Sequence, residues 1–232
     1  MNVMPKHIRT PLGTPLRVRG LQPTEMHAVL DLRMRDARAQ GAGGNVEYLC
    51  RDALDPFAHH LVVEGEGGAL LGAARVLAPA DALSAGGSFV EALFNLGAWR
   101  EAPPSLELSW PVLAAGPDRL AVAALLIEAV LRYARRLNLA HLLLCVHLSP
   151  TELGALRCGG APVWMPALLR MRPWAGTPSL TREARGEVSP WVGRLLVEGA
   201  RVCGEPAWDP ALRRAVLPMW LEIGARTSRR CA

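Results

Sequence analysis

Lysine is all but missing from this chain. Lys6 is the only one, so 25 of the 26 basic residues are arginine (26 − 1 = 25), and the formal charge of +5 rests on guanidinium groups. Two readings stand side by side: a compositional bias toward Arg, Ala, Gly and Pro, or a basic surface for an acidic carrier protein, an anionic membrane or a nucleic acid. Long apolar runs are also missing. No stretch of 18 or more uncharged apolar residues occurs, and none follows the basic N-terminus, so neither a spanning helix nor a secretory signal is read and the cytoplasm is the expected location. The cysteines, at 50, 145, 158, 203 and 231, form no C-x-x-C pair and have no His at ligand spacing. Buried thiols are expected, and no metal site. Aromatic residues make up 5% of the chain and do not interleave with the arginines, which sets nucleic-acid binding aside. Residues 1–20 contain no Asp or Glu and read as a loose basic arm.

What the chain has is apolar bulk, 50% of its residues, enough for one sizeable core. Pro23, with Glu25 two residues on, opens a helix that should run to about Gln40, where Gly41, Gly43 and Gly44 stop it. "HLVVEGEGGALLGAARVLA" reads as a hairpin with a glycine-bearing turn, "SLELSWPVL" as a third strand and "HLLLCVHL" as a central one. Asp118 can cap a helix reaching Asn138. Ser149, Pro150 and Glu152 make a capping box that starts another, and "APVWMPALLRM" reads as a further strand. Past Val188 the pattern is helical: Ser189–Pro190 opens one helix to Val202, Asp209–Pro210 opens the last, and "CGEPAWDP" is the stop, turn and fresh cap between them. The alternation predicts an α/β (α+β) fold, a mixed sheet flanked by helices. Its expected parts are the arm over 1–20 leading into a strand around Arg17–Leu21, a core over 21–187, and a helical C-terminal extension over 188–232 packed on the core.

The segment "LLVEGARVCGEPAWDPAL" resembles the C-terminal signature of bacterial acyl-carrier-protein-dependent N-acyltransferases, the lyso-ornithine lipid synthase (hemolysin-like) branch of the GNAT fold. That branch is related to acyl-homoserine-lactone synthases and N-acyl amino acid synthases. "DALDPFAHHLVV" is similar to its D-x-[FY]-D-x-x-x-x-H-L-L-V segment, "LLGAARVL" to its V-G-x-x-R-L-L strand and "LELSWPVL" to its E-L-G-R strand, in the family's order.

The resemblance implies a GNAT-like fold and transfer of a fatty acyl group from the phosphopantetheine thioester of acyl carrier protein to the amine of an amino acid or similar head group. No tightly bound cofactor and no metal are implied. The attacking amine must shed a proton, and the thioester oxygen gains charge that donors must face. On the matching segments, Glu107, Asp55 and His60 are the implied catalytic residues, and Arg75, Trp110, Arg33, Arg35 and Trp208 the substrate-binding ones. The residues themselves leave alternatives. Glu107 alternates with Leu106 and Leu108 and also suits a solvent-facing position; His60 suits a structural hydrogen-bonder, and Asp55 before Pro56 a turn. Arg75 inside an apolar strand needs an anionic partner, either Glu107 or a substrate carboxylate.

Departures from the family pattern bear on the substrate. Trp110 stands where the pattern has Arg, and His59 where it usually has Asp. "AAGPDR" offers one glycine before its helix, which favours carrier-bound phosphopantetheine at a helix N-terminus over CoA. Expected partners are acyl carrier protein, met by the Arg-rich first helix and arm, an amine-bearing small molecule and a peripheral membrane contact, with no nucleic acid. The alternatives are a catalytically degenerate GNAT-fold partner subunit and an acyl-homoserine-lactone-type synthase.

Overall fold

The apolar runs pair into one mixed sheet. The computed structural model describes residues 6–9, 15–39, 41–42, 47, 50–158, 164–176, 188–210 and 212–224. Its strands are β1 (Lys6–Arg9), β2 (Pro15–Gly20), β3 (His59–Glu64), β4 (Leu70–Leu77), β5 (Phe94–Asn95), β6 (Leu106–Leu113), β7 (His141–Leu148), β8 (Arg172–Pro173), β9 (Arg201–Val202), β10 (Ala207–Asp209) and β11 (Arg214–Glu222). The main sheet runs β1-β2-β3-β4-β6-β7-β11-β10, with β9 also on β11, while β5 and β8 pair separately. Neighbours in the main sheet are antiparallel except β6 and β7. That parallel pair needs a crossover, and helix α4 (Arg119–Arg136) supplies it.

The earlier helices are α1 (Met26–Ala39), α2 (Pro79–Ser84) and α3 (Phe89–Leu93); α5 (Pro150–Cys158) and α6 (Pro190–Val197) follow α4. Helix α4 buries residues on nearly every side because the sheet lies beneath it and α6 beside it. On the opposite face, Val29 and Leu32 of α1 pack on Val62, Ala73 and Val112, and Val90 of α3 packs with Met165 and Met171 over Leu143, Cys145 and Val216. The architecture is therefore the α/β sandwich expected.

Several expectations are corrected by the chain's end and beginning. The arm is no loose segment throughout, because Lys6–Arg9 pairs with β2, and β2 starts at Pro15. The first C-terminal helix stops at Val197, and Arg201–Val202 is strand. The last expected helix is β11, so the described part of 188–232 is not a helical extension but one helix followed by strands that complete the sheet. In β11, Ala215, Leu217, Met219 and Leu221 face one core and Val216 and Trp220 the other. A strand covered on both faces reads as a continuous apolar run, which periodicity cannot separate from a buried helix. Within "APVWMPALLRM", 161–163 lie outside the described residues, and the rest runs beside Val202 and Gly204 through isolated parallel bridges at Trp164 and Met171 around a 3₁₀ turn, Ala167–Leu169.

"CGEPAWDP" is thus a stretch that 171–176 bridges on two sides, at Gly204 and Ala207. Gly204 bridges to Met171, and a Cβ there would lie 2.3 Å from the Met171 carbonyl oxygen. Because the obstacle is backbone, Gly204→Ala should destabilise the protein by about 1–3 kcal/mol, read by urea denaturation. A loss within experimental error would contradict the close approach.

Candidate active site

The site grows from a bulge in β6. Opposite β4, Ala73 pairs with Val112 and Arg75 with Ser109, so two residue steps on β4 face three on β6. The extra residue leaves Trp110 at φ 50°, a left-handed conformation a tryptophan adopts only when its surroundings hold it there. The bulge turns the Trp110 indole toward the loop before β3, where Nε1–H donates to Asp52 Oδ2 at 3.0 Å.

Around this point the sequence brings together buried charge. Glu107 and Ser109 alternate onto one face of β6, away from Leu106 and Leu108, as the period of two requires. That face is closed: Glu107 is 4% exposed, not solvent-facing. Its carboxylate accepts the Phe89 and Val90 N–H groups of α3 at 3.3 and 3.0 Å. Arg75 is fully buried. Its Nε donates to Ser109 Oγ at 3.0 Å, and its Nη1 lies 2.9 Å from Asp52 Oδ1 and 3.3 Å from Asp55 Oδ1. Arg33, on α1, forks onto Asp55 at 2.8 and 3.0 Å, and its Nη1 also donates to the Cys50 carbonyl.

The histidines complete the cluster. His60 Nε2 faces the Asp55 carbonyl at 3.4 Å and its carboxylate at 3.6 Å, which assigns the proton to Nε2 and leaves Nδ1 as a bare lone pair. His147, on β7, stands with its ring 4.8 Å from Trp110 and 5.8 Å from Phe89. Arg33 lies over the Trp110 ring at 4.7 Å. Buried polar atoms in this cluster without a partner include His60 Nδ1, Arg75 Nη2 and His147 Nε2.

Two features open the cluster to ligands. Strands β6 and β7 pair only at Leu106–Leu108 with Leu142–Leu144 and part beyond, with Trp110 and His147 across the gap. A cleft of about 700 Å³ is lined among others by Arg17, Arg51, Asp52, Asp55, His60 and Tyr133.

The expected site residues therefore separate. Asp55, His60, Arg75, Glu107, Trp110 and Arg33 meet in one cluster. Arg35 is exposed on α1, with Nε donating to the Asp31 carbonyl, and Trp208 packs half-buried against the main core. The C-terminal motif reaches the cluster through Leu212, which packs with Trp110 and Cys50, while Arg214 pairs with Asp36 of α1 at 2.8 Å. Asp52, Ser109 and His147 are the partners that were not singled out. Asp52 had a signal in its i,i+3 spacing to Asp55, Ser109 in its i,i+2 spacing to Glu107, and His147 as the polar break in an apolar strand. Among the described residues no group of His, Cys, Asp and Glu is placed to hold a metal ion.

Burial dictates the charges. Burial, then the nearby Arg33, push His60 down to about 4, and burial, then Arg214, push His147 down to about 3. Burial raises Glu107. For Asp52 burial acts upward, but Arg75 and the bonds from Leu54 and Trp110 outweigh it and hold the carboxyl below its usual range. The histidines make the fold sensitive to mild acid. Below about 6.5 the unfolded chain protonates both while the folded chain does not, so their contribution is complete above that pH and is lost as pH falls toward 4 and 3. From pH 7 to pH 5 the loss is about 2 kcal/mol per histidine. Glu107 acts oppositely, gaining stability as acid protonates it, and Asp52 loses its share only at lower pH. His147→Phe should remove about half of the decline in urea midpoint between pH 7 and 5. An unchanged slope would mean that His147 titrates normally.

With the geometry established, comparisons place it. No family model and no curated protein matches the chain. Solved structures do. FeeM, an N-acyl amino acid synthase from uncultured soil microbes, is 12% identical, with a TM-score of 0.55 over 90% of this chain and 92% of that one. The AHL synthase LasI is 14% identical, with a TM-score of 0.55 over 93% of each chain. The fold is GNAT-like. At such identities the likeness is one of fold, and any activity has to come from the site. Among the described residues no helix is long and apolar enough to cross a membrane.

Proposed function

We propose that the chain is an N-acyltransferase of the lyso-ornithine lipid synthase type, moving a fatty acyl group from a phosphopantetheine thioester on acyl carrier protein to the amine of an amino acid or similar head group. The observation that carries this reading is the parting of β6 and β7 beside a buried cluster that keeps His60 Nδ1, Arg75 Nη2 and His147 Nε2 without partners. Native folds rarely leave buried polar atoms unpaired without a functional reason. Main-chain groups on parted strands can take the amides of a phosphopantetheine arm as they would an added strand. Helix α4 begins six residues past β6 and offers its N-terminus to the phosphate. The two fold neighbours named as an N-acyl amino acid synthase and an AHL synthase support the class.

In this reading the amine attacks the thioester carbonyl, the C–N bond forms and the C–S bond breaks. The nitrogen becomes strongly acidic once bonded, so a neutral imidazole of low basicity suffices to take its proton. His60 Nδ1 receives it, held in the right tautomer by Asp55, and the proton passes on to the departing thiolate. Arg75 Nη2 is the donor for the carbonyl oxygen. Glu107 positions α3, and with it Phe89, by accepting its first N–H groups.

The test is transfer from radiolabelled acyl groups, carried on acyl carrier protein or on CoA, to ornithine, glutamine, lysine, glycine and polyamines in turn. Amide formation from the carrier-bound donor is the expected result. A second reading has its own observation: the Trp110 and His147 rings approach to 4.8 Å across the gap that an acyl arm would enter. Carrier binding with no amide for any amine would favour a partner subunit that has lost catalysis.

A further inference from the structure

Three exposed apolar side chains stand on hydrogen-bonded backbone beside the β5–β8 pair. The 3₁₀ turn Ala167–Leu169 holds Leu168 at 91% exposure and Leu169 at 39%, and Trp174 follows at 61%. These are not loose ends. Leu169 offers its carbonyl to Trp99 Nε1–H at 2.6 Å, Trp174 N–H donates to the Leu93 carbonyl at 3.0 Å, and Trp174 Nε1–H to the Glu91 carbonyl at 3.2 Å. Because the Trp174 indole turns its N–H onto the protein, what it shows to solvent is hydrocarbon. Leaving such groups in water is unfavourable, and a contiguous exposed set marks a surface that something apolar covers.

Basic charges outnumber acidic ones around it: Arg100, Arg170 and Arg172 are exposed, Arg170 also lying over the Trp164 ring and donating to the Met165 carbonyl, and the exposed acids beside them are Glu91 and Glu101. We propose that this face docks on an anionic lipid surface, with Leu168, Leu169 and Trp174 entering the headgroup boundary and the arginines meeting lipid phosphates. Protruding leucine and tryptophan among arginines is the composition of an interfacial lipid contact. An acidic protein partner could be met by the arginines alone, whereas a lipid surface uses both them and the leucine 91% exposed at the tip. The face is also joined to the cluster described above: β5 follows directly on α3, whose first N–H groups Glu107 holds. The inference does not depend on acyl transfer.

Co-sedimentation with phosphatidylcholine vesicles, with and without phosphatidylglycerol, tests it without any substrate. Binding is expected to the anionic vesicles and to weaken with salt. Combined Leu168→Glu and Leu169→Glu, on exposed side chains, should abolish it. Replacing Arg100, Arg170 and Arg172 together by Gln should weaken it about 100-fold, roughly fivefold per charge. Equal binding to neutral and anionic vesicles, or variants that bind like the parent, would overturn the proposal. So would variants that keep vesicle binding and instead lose acyl carrier protein, which would assign the face to the carrier.

Discussion

Arg75→Met should cost about 3 kcal/mol or more of folding stability, because it removes the cation that Asp52, Asp55 and Ser109 share and leaves the half-buried Asp52 carboxylate without its ion pair, while Asp55 keeps only Arg33. In a chain of this size that lowers the thermal midpoint by roughly 10 °C or more. Arg75→Lys should fall between the two. An ammonium retains the charge but reaches one partner where the guanidinium fork reaches three. Calorimetry of the three proteins in parallel checks the ordering. A methionine variant within about 1 kcal/mol of the parent would mean that the carboxylates are solvated and that the cluster is looser than its geometry indicates.

His60→Gln should slow amide formation by about 10²–10⁴-fold, the usual worth of a positioned proton acceptor. Glutamine preserves size and can still donate to Asp55, but it offers no basic lone pair. The same change removes a group whose folded pKa is depressed to about 4, so the variant should be more stable than the parent at pH 5 by about 2 kcal/mol while nearly matching it at pH 7. A merely structural histidine would alter stability and leave the rate alone. A variant that keeps its rate at matched folded fraction removes His60 from the chemistry.

Much of the cluster was legible because its residues break local rules. Arg75 in an apolar strand had to find an anion, and it finds Asp52 and Asp55 of the loop before β3. Glu107 was legible in direction but not in environment: alternation turns it from Leu106 and Leu108, yet only the placement of α3 over β6 decides that this side is buried. Trp110 looked like a loss, since it stands where the resembling family has Arg. The bulge gives it an arginine-like task, donating to Asp52 while stacking on Arg33 and His147. A bulge depends on the register of two distant strands, and no local pattern announces it.

The C-terminal motif shows the opposite limit. Its residues were read as helix stop and helix start, and Asp209 does cap a turn, accepting the Leu212 N–H at 3.0 Å. The same signals serve a β-turn, and which follows depends on whether the next apolar run has a strand to pair with. β7 was waiting for β11. The resemblance implies Trp208 as the residue of this motif at the substrates, whereas Trp208 packs on the main core and Leu212 makes the contact with Trp110.

One measurement bears most directly on acyl transfer at this cluster: a single turnover with equimolar acyl carrier protein thioester and protein, and excess amine, following thioester, amide and free fatty acid together by mass spectrometry. With His60 as proton acceptor and Arg75 as oxyanion donor, as proposed, amide should account for the thioester consumed. Thioester left intact with every amine, or lost only to free fatty acid, would contradict it.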